Sequence, residues 1–152
     1  GRIMNELKQS IQQELDSLKL KYEYNADGNF FFFSVNMDNS IGSLKIIIQL
    51  LDGRYLVYAI LHNRAQRAKI SVVSEFLHRA NSGLINGNFE LDYATGEIRY
   101  KTFVNAKKTD ISSVVIRDSI MVPIMMFSKY GDGLLKVMTS NDSPESVIKK
   151  ID

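Results

Sequence analysis

Apolar residues open the chain at a helical spacing: Ile3, Leu7, Ile11, Leu15 and Leu18 lie at steps of four, four, four and three. Lys8, Gln12, Gln13, Glu14 and Lys19 fall on the opposite side, so the pattern predicts an amphipathic helix over about residues 2–21. Asn25-Ala26-Asp27-Gly28-Asn29 then breaks the period, since Asn, Asp and Gly readily adopt turn and left-handed conformations. Three strands are predicted next, over Phe30 to Met37, Leu44 to Leu51 and Tyr55 to Leu61. The last two are joined by Asp52-Gly53, a strong short-range hairpin signal. A two-residue loop there opposes Leu50 to Tyr55, Ile48 to Val57, Ile46 to Ala59 and Leu44 to Leu61, which makes one fully apolar face.

The period returns to helical over residues 69–84, where Ile70, Val73, Leu77, Ala80 and Leu84 form a stripe and Glu75, His78 and Arg79 face water. A second hairpin follows across Ala94-Thr95-Gly96. A loop of two residues pairs Asp92 with Arg99 and Glu90 with Lys101, whereas a loop of four pairs Glu90 with Arg99 and Leu91 with Ile98. Either even-length loop sets acid against base on one face and apolar against apolar on the other. From a Thr109-Asp110 cap, a helix apolar nearly all round runs toward Met138; Pro123 is expected to kink or restart it, and Gly131 and Gly133 to end it early. Ser143-Pro144-Glu145 opens a short last helix to about Lys150.

The element order is α-β-β-β-α-β-β-α with a small terminal helix, and no repeat or linker divides it. The expectation is one α+β domain over residues 1–152, built on a single antiparallel sheet of about five strands with helices mainly on one face. At 152 residues, 45% hydrophobic and 24% charged, the composition is that of an ordinary globular domain. Gly1 reads as a cloning remnant and Met4 as the natural start. The longest apolar runs, about eight residues, fall short of the ~20 of a spanning helix. With no cysteine present, a cytoplasmic location without membrane contact is expected.

Little here supports catalysis. Without cysteine, disulfides, thiol nucleophiles and thiolate zinc sites are excluded. His62 and His78 stand sixteen positions apart with no carboxylate or second imidazole at helical ligand spacing. Glu90 and Asp92 share a face with Arg99 and Lys101 and read as a solvated charge ladder. Gly131-Asp132-Gly133 lacks the third glycine and the preceding strand of a phosphate loop. Arg64, Arg67, Lys69 and Arg79 make a modest basic cluster, with Lys107 and Lys108 a second, but a net charge of +2 does not sustain nucleic-acid binding. No metal, cofactor or catalytic residue is therefore expected.

The unusual feature is the second face of the first sheet. Ile47, Leu56, Tyr58 and Ile60 oppose the core set, and either Phe30 with Phe32 or Phe31 with Phe33 must join them, interrupted by Lys45, Gln49, Ser34 and Asn36. Antiparallel sheets usually alternate apolar inside and polar outside. A sheet apolar on both faces is either wrapped by its own helices or presents an interface.

The pattern resembles the YbjN-like family, assigned to bacterial sensory transduction regulation and given a type III secretion chaperone-like fold. The resemblance is carried by Leu77-His78-Arg79-Ala80-Asn81, Gly87-Asn88-Phe89-Glu90-Leu91-Asp92, Gly96-Glu97-Ile98-Arg99-Tyr100, Leu134-Leu135-Lys136-Val137-Met138 and Ser143-Pro144-Glu145-Ser146. It implies a fold similar to that of small dimeric chaperones that hold secreted effectors unfolded, and it carries no catalytic motif. The expected function is a non-enzymatic protein-interaction module of chaperone or regulatory type. It would bind a protein partner and form a homodimer, with Phe32, Ile47, Leu56, Tyr58 and Ile60 as the interaction surface. The rival expectation is a small-ligand sensor with a pocket between the sheet and the methionine-rich helix carrying Met121, Met125 and Met126.

Overall fold

The computed structural model describes residues 2–152, with side chains from Met4 onward; Gly1 and the side chain of Ile3 lie outside the described residues. The elements are α1 (Arg2–Ser17), β1 (Glu23–Asn25), β2 (Phe30–Asn36), β3 (Ser43–Leu51), β4 (Arg54–Leu61), a 3-10 turn (Arg67–Lys69), α2 (Ile70–Asn81), β5 (Asn88–Leu91), β6 (Ile98–Asn105), α3 (Ser113–Thr139) and α4 (Pro144–Ile151). The strands form one antiparallel sheet in the order β1-β2-β3-β4-β6-β5. The α+β class and the element order agree with expectation, with one strand added.

That strand is β1, and it exists because α1 stops at Ser17 rather than near residue 21. Lys19 takes a left-handed backbone (φ 57°), its N–H bonds to the Asp16 carbonyl, and the Leu20 N–H reaches back to Leu15. These two bonds close the helix as a Schellman cap, with lysine where glycine is commoner. Beyond it the burial period becomes two: Leu20, Tyr22 and Tyr24 turn partly inward while Lys19, Lys21, Glu23 and Asn25 are exposed. Tyr24 stands opposite Phe31, ring centroids 4.7 Å apart.

The Asp52-Gly53 hairpin has the predicted register, with Leu44 opposite Leu61, Ile46 opposite Ala59, Ile48 opposite Val57 and Leu50 opposite Tyr55. Gly53 supplies the left-handed residue of the turn (φ 70°). In the second hairpin Glu90 pairs with Arg99 and Leu91 with Ile98, the four-residue-loop alternative. Asp92 leaves the ladder: its carboxylate accepts from the Ala94 and Thr95 amides inside the turn.

All four helices bury their apolar sides in one core. Leu7, Ile11 and Leu15 of α1, Val73, Phe76 and Leu77 of α2, Ile116, Ile120, Phe127 and Leu134 of α3, and Val147 and Ile148 of α4 meet the strand residues Phe31, Ile46, Ile48, Tyr55, Val57, Phe89 and Tyr100. The helix α2 starts at Ile70 and ends at Asn81, shorter than predicted, and Asn81 fastens to β5 by accepting from the Phe89 amide and donating to its carbonyl.

The helix α3 corrects three expectations. Its cap is Ser112, whose hydroxyl accepts from the Val115 amide, not Thr109-Asp110. It does not restart at Pro123: the helix continues through it, and the carbonyl that the proline leaves without a helical donor, Ser119, accepts from the Thr102 hydroxyl at 2.6 Å. It also runs through Gly131 and Gly133, whose missing side chains admit neighbours. A Cβ on Gly131 would lie 2.9 Å from Ile41 Cγ2, and one on Gly133 2.6 Å from Ile151 Cδ1 and 3.1 Å from Val147 Cγ1 of α4. As predicted, Ser143 caps α4, accepting from the Ser146 amide ahead of Pro144.

Candidate interaction surface

Alternation along the strands sends every second side chain away from the helices. Register aligns those outward side chains into rows across the sheet. The middle row reads Glu23, Phe32, Ile47, Tyr58, Lys101, Asn88; one flanking row reads Asn25, Phe30, Gln49, Leu56, Phe103, and the other Ser34, Lys45, Ile60, Arg99, Glu90. Strand β2 therefore contributes Phe30 and Phe32 outward, with Phe31 and Phe33 in the core at 0% and 5% exposure.

All five residues of the predicted surface, Phe32, Ile47, Leu56, Tyr58 and Ile60, are neighbours on this outer face. None of them belongs to the helix-covered core or to the partly buried apolar residues packed against it. Their partial burial comes from one another and from adjacent strands. Phe30 and Phe32 lie tilted together with centroids 5.7 Å apart, and the Arg99 guanidinium sits 4.7 Å from the Tyr58 ring centre. Phe103, 53% exposed, extends the patch and went unread in the sequence. Its place on the same side as Arg99 and Lys101 was legible, but its place beside Leu56 depends on the pairing of β4 with β6, which joins residues 47 positions apart.

Charge frames the apolar centre. On β5 and β6, the Glu90 carboxylate accepts from Arg99 Nε and Lys101 Nζ, both at 2.8 Å. Burial works to raise the Glu90 pKa, but the bonds and charges of Lys101 and Arg99 outweigh it and hold it below the ordinary carboxylate value. Toward the β1 side an open concavity of about 750 Å3 is lined by Lys21, Phe32, Lys45, Ile60, His62 and Arg64, among others.

The remaining candidates do not converge. His62 and His78 are both exposed, and among the described residues no group of three His, Asp or Glu could hold a metal ion. Lys69 leaves the basic cluster to donate to the Ser140 carbonyl at 2.7 Å. Beneath α3 the core is filled by Ile116, Ile120, Phe127 and Leu134, each at most 1% exposed, and Met125 points to solvent; an open concavity between α3 and β6 is lined by Phe103, Val104, Val115 and Asp118. No described helix is long and apolar enough to cross a membrane.

No family model and no curated protein matches the chain. Solved structures do match its fold. YbjN from E. coli, assigned provisionally as a transcription regulator, aligns with a TM-score of 0.59 at 12% identity over 80% of this chain and 89% of its own. The ExsC–ExsE complex aligns with a TM-score of 0.54 at 12% identity, covering 84% of this chain and 91% of the matched one. The chain thus has the fold shared by these two structures, the fold that its sequence pattern resembles.

Proposed function

We propose that this chain is a single-domain, non-enzymatic protein-interaction module of chaperone or regulatory type, working in the cytoplasm, and that the outer face of its sheet is the surface it uses, for self-association and for a protein partner. One observation carries the reading. Phe30, Phe32, Ile47, Leu56, Tyr58, Ile60 and Phe103 form a connected apolar patch, with Gln49 and Lys45 set into it, on the side of the sheet opposite the helices. Contiguous apolar surface of this kind marks association sites, since leaving it in water costs roughly 25 cal/mol per Å2. Support also comes from the fold, which one neighbour presents in a complex; fold alone does not assign an activity.

Tyr58→Glu tests the reading. The side chain is outward and partly exposed, so the carboxylate reaches water in a monomer but is trapped in an interface. The variant is expected to keep its circular dichroism and its melting temperature within a few degrees while losing association at all accessible concentrations. Unchanged association with an intact fold would overturn the proposal.

A further inference from the structure

The three outward rows also say how a second copy would sit. Resting on the reading that this face self-associates, we infer that two copies pack sheet on sheet about a two-fold axis running parallel to the strands, between β3 and β4. In-plane two-folds are the operators that bring one sheet face against its own copy, and the row ends distinguish among them. An axis along the strands exchanges β3 with β4, β2 with β6 and β1 with β5 across the interface. The middle row then places Ile47 on Tyr58 of the second copy, Phe32 on its Lys101 and Glu23 beside its Lys101 and Asn88.

In one flanking row Phe30 meets Phe103 and Gln49 meets Leu56; in the other Lys45 meets Ile60 and Ser34 meets Arg99. At the rim Glu90 comes over Lys21, which lines the outer concavity together with Ser34 and Lys45. At the edges each acidic residue thus has a basic residue of the second copy near it, Glu23 diagonally from Lys101 and Glu90 toward Lys21, and each contact occurs twice. An axis at right angles to the strands instead returns the middle row onto itself, setting Glu23 against Glu23 and Lys101 against Lys101. Like charges opposed across a desolvated face are costly, so the charge pattern selects the first arrangement. Strands about 4.8 Å apart and rows about 6.8 Å apart give a footprint of roughly 600 Å2 per copy. That is near the lower end of specific interfaces, about 600–800 Å2 a side, and fits a reversible dimer rather than an obligate one.

The chain has no cysteine, so one introduced thiol is a unique labelling site. Nitroxides on Glu23→Cys and Asn88→Cys, at the two ends of the middle row, separate the arrangements by electron–electron distance. With the axis along the strands, Asn88→Cys alone gives about 25 Å between copies, five strand spacings, and an equimolar mixture of the two labelled variants adds a distance of about 10 Å, the separation of packed sheets. An Asn88-to-Asn88 distance of about 10 Å in a dimer overturns this geometry while leaving the self-association reading intact. A dimer with neither distance overturns this geometry too, its axis lying at another angle on this face or off it. A monomer by light scattering overturns both the geometry and the reading beneath it.

Discussion

At the scale of single residues, the most informative group is the buried polar cluster around Ser119. Its hydroxyl donates to the Ile116 carbonyl at 2.6 Å and so accepts the Tyr55 hydroxyl at 2.8 Å, while its carbonyl takes the Thr102 hydroxyl in place of the amide that Pro123 lacks. The Tyr55 and Thr102 links each connect a strand to α3. Thr102→Val leaves the Ser119 carbonyl without a donor in the core and is expected to cost about 1–3 kcal/mol. In a Pro123→Ala background the restored amide can take over that carbonyl, so the same substitution should cost roughly 1 kcal/mol less. Denaturant unfolding of the four proteins checks this, and equal costs in both backgrounds would contradict the role given to Thr102. Burial pushes Tyr55 up to about 12, the Ser119 hydrogen bond countering it only in part, and burial pushes Tyr100 up to about 12 as well. A folded pKa above the unfolded value stabilises fully below the latter and is lost as pH rises through the former. Of the seven tyrosines, these two should ionise last, with stability falling between pH 10 and 12; tyrosinate absorbance alongside circular dichroism reads both.

At the scale of elements, local signals were legible and non-local ones were not. The register of β3 with β4 follows from Asp52-Gly53 and alternation, both within twenty residues. The end of α1 is ambiguous in the sequence because Leu15 and Leu18 keep helical spacing while Leu20, Tyr22 and Tyr24 already alternate as a strand. Gly131 and Gly133 looked like helix breaks because glycine costs about 1 kcal/mol in a helix. Their value lies in tertiary space that one sequence cannot display. Gly131→Ala should therefore destabilise by about 1 kcal/mol net, overpacking against Ile41 exceeding the helical gain. A melting temperature that rises instead would contradict the close packing of the Ile41 segment on α3. In the second hairpin, the depressed Glu90 pKa contributes stability that is present above the ordinary carboxylate value and lost as pH falls through the folded one. Glu90→Gln should flatten the acid limb of a stability–pH curve in that window, and an unaltered limb would count against the ladder.

At the scale of the whole molecule, the chain places every described helix on one side of a six-stranded sheet and a second apolar surface on the other. Ile47, Leu56, Tyr58 and Ile60 were legible from alternation, because strand side chains have a period of two and the hairpin set their neighbours, whereas the side taken by Phe32 follows only from the pairing of β2 with β3. Phe103 and the charged rim of Glu90, Arg99 and Lys101 joined it only through sheet order. The central claim is that this face associates. Light scattering across a hundredfold range of concentration tests it most directly. The account predicts a mass rising from near 17.3 kDa toward twice that value within the micromolar range, and abolished by Tyr58→Glu. A constant 17.3 kDa throughout would contradict it.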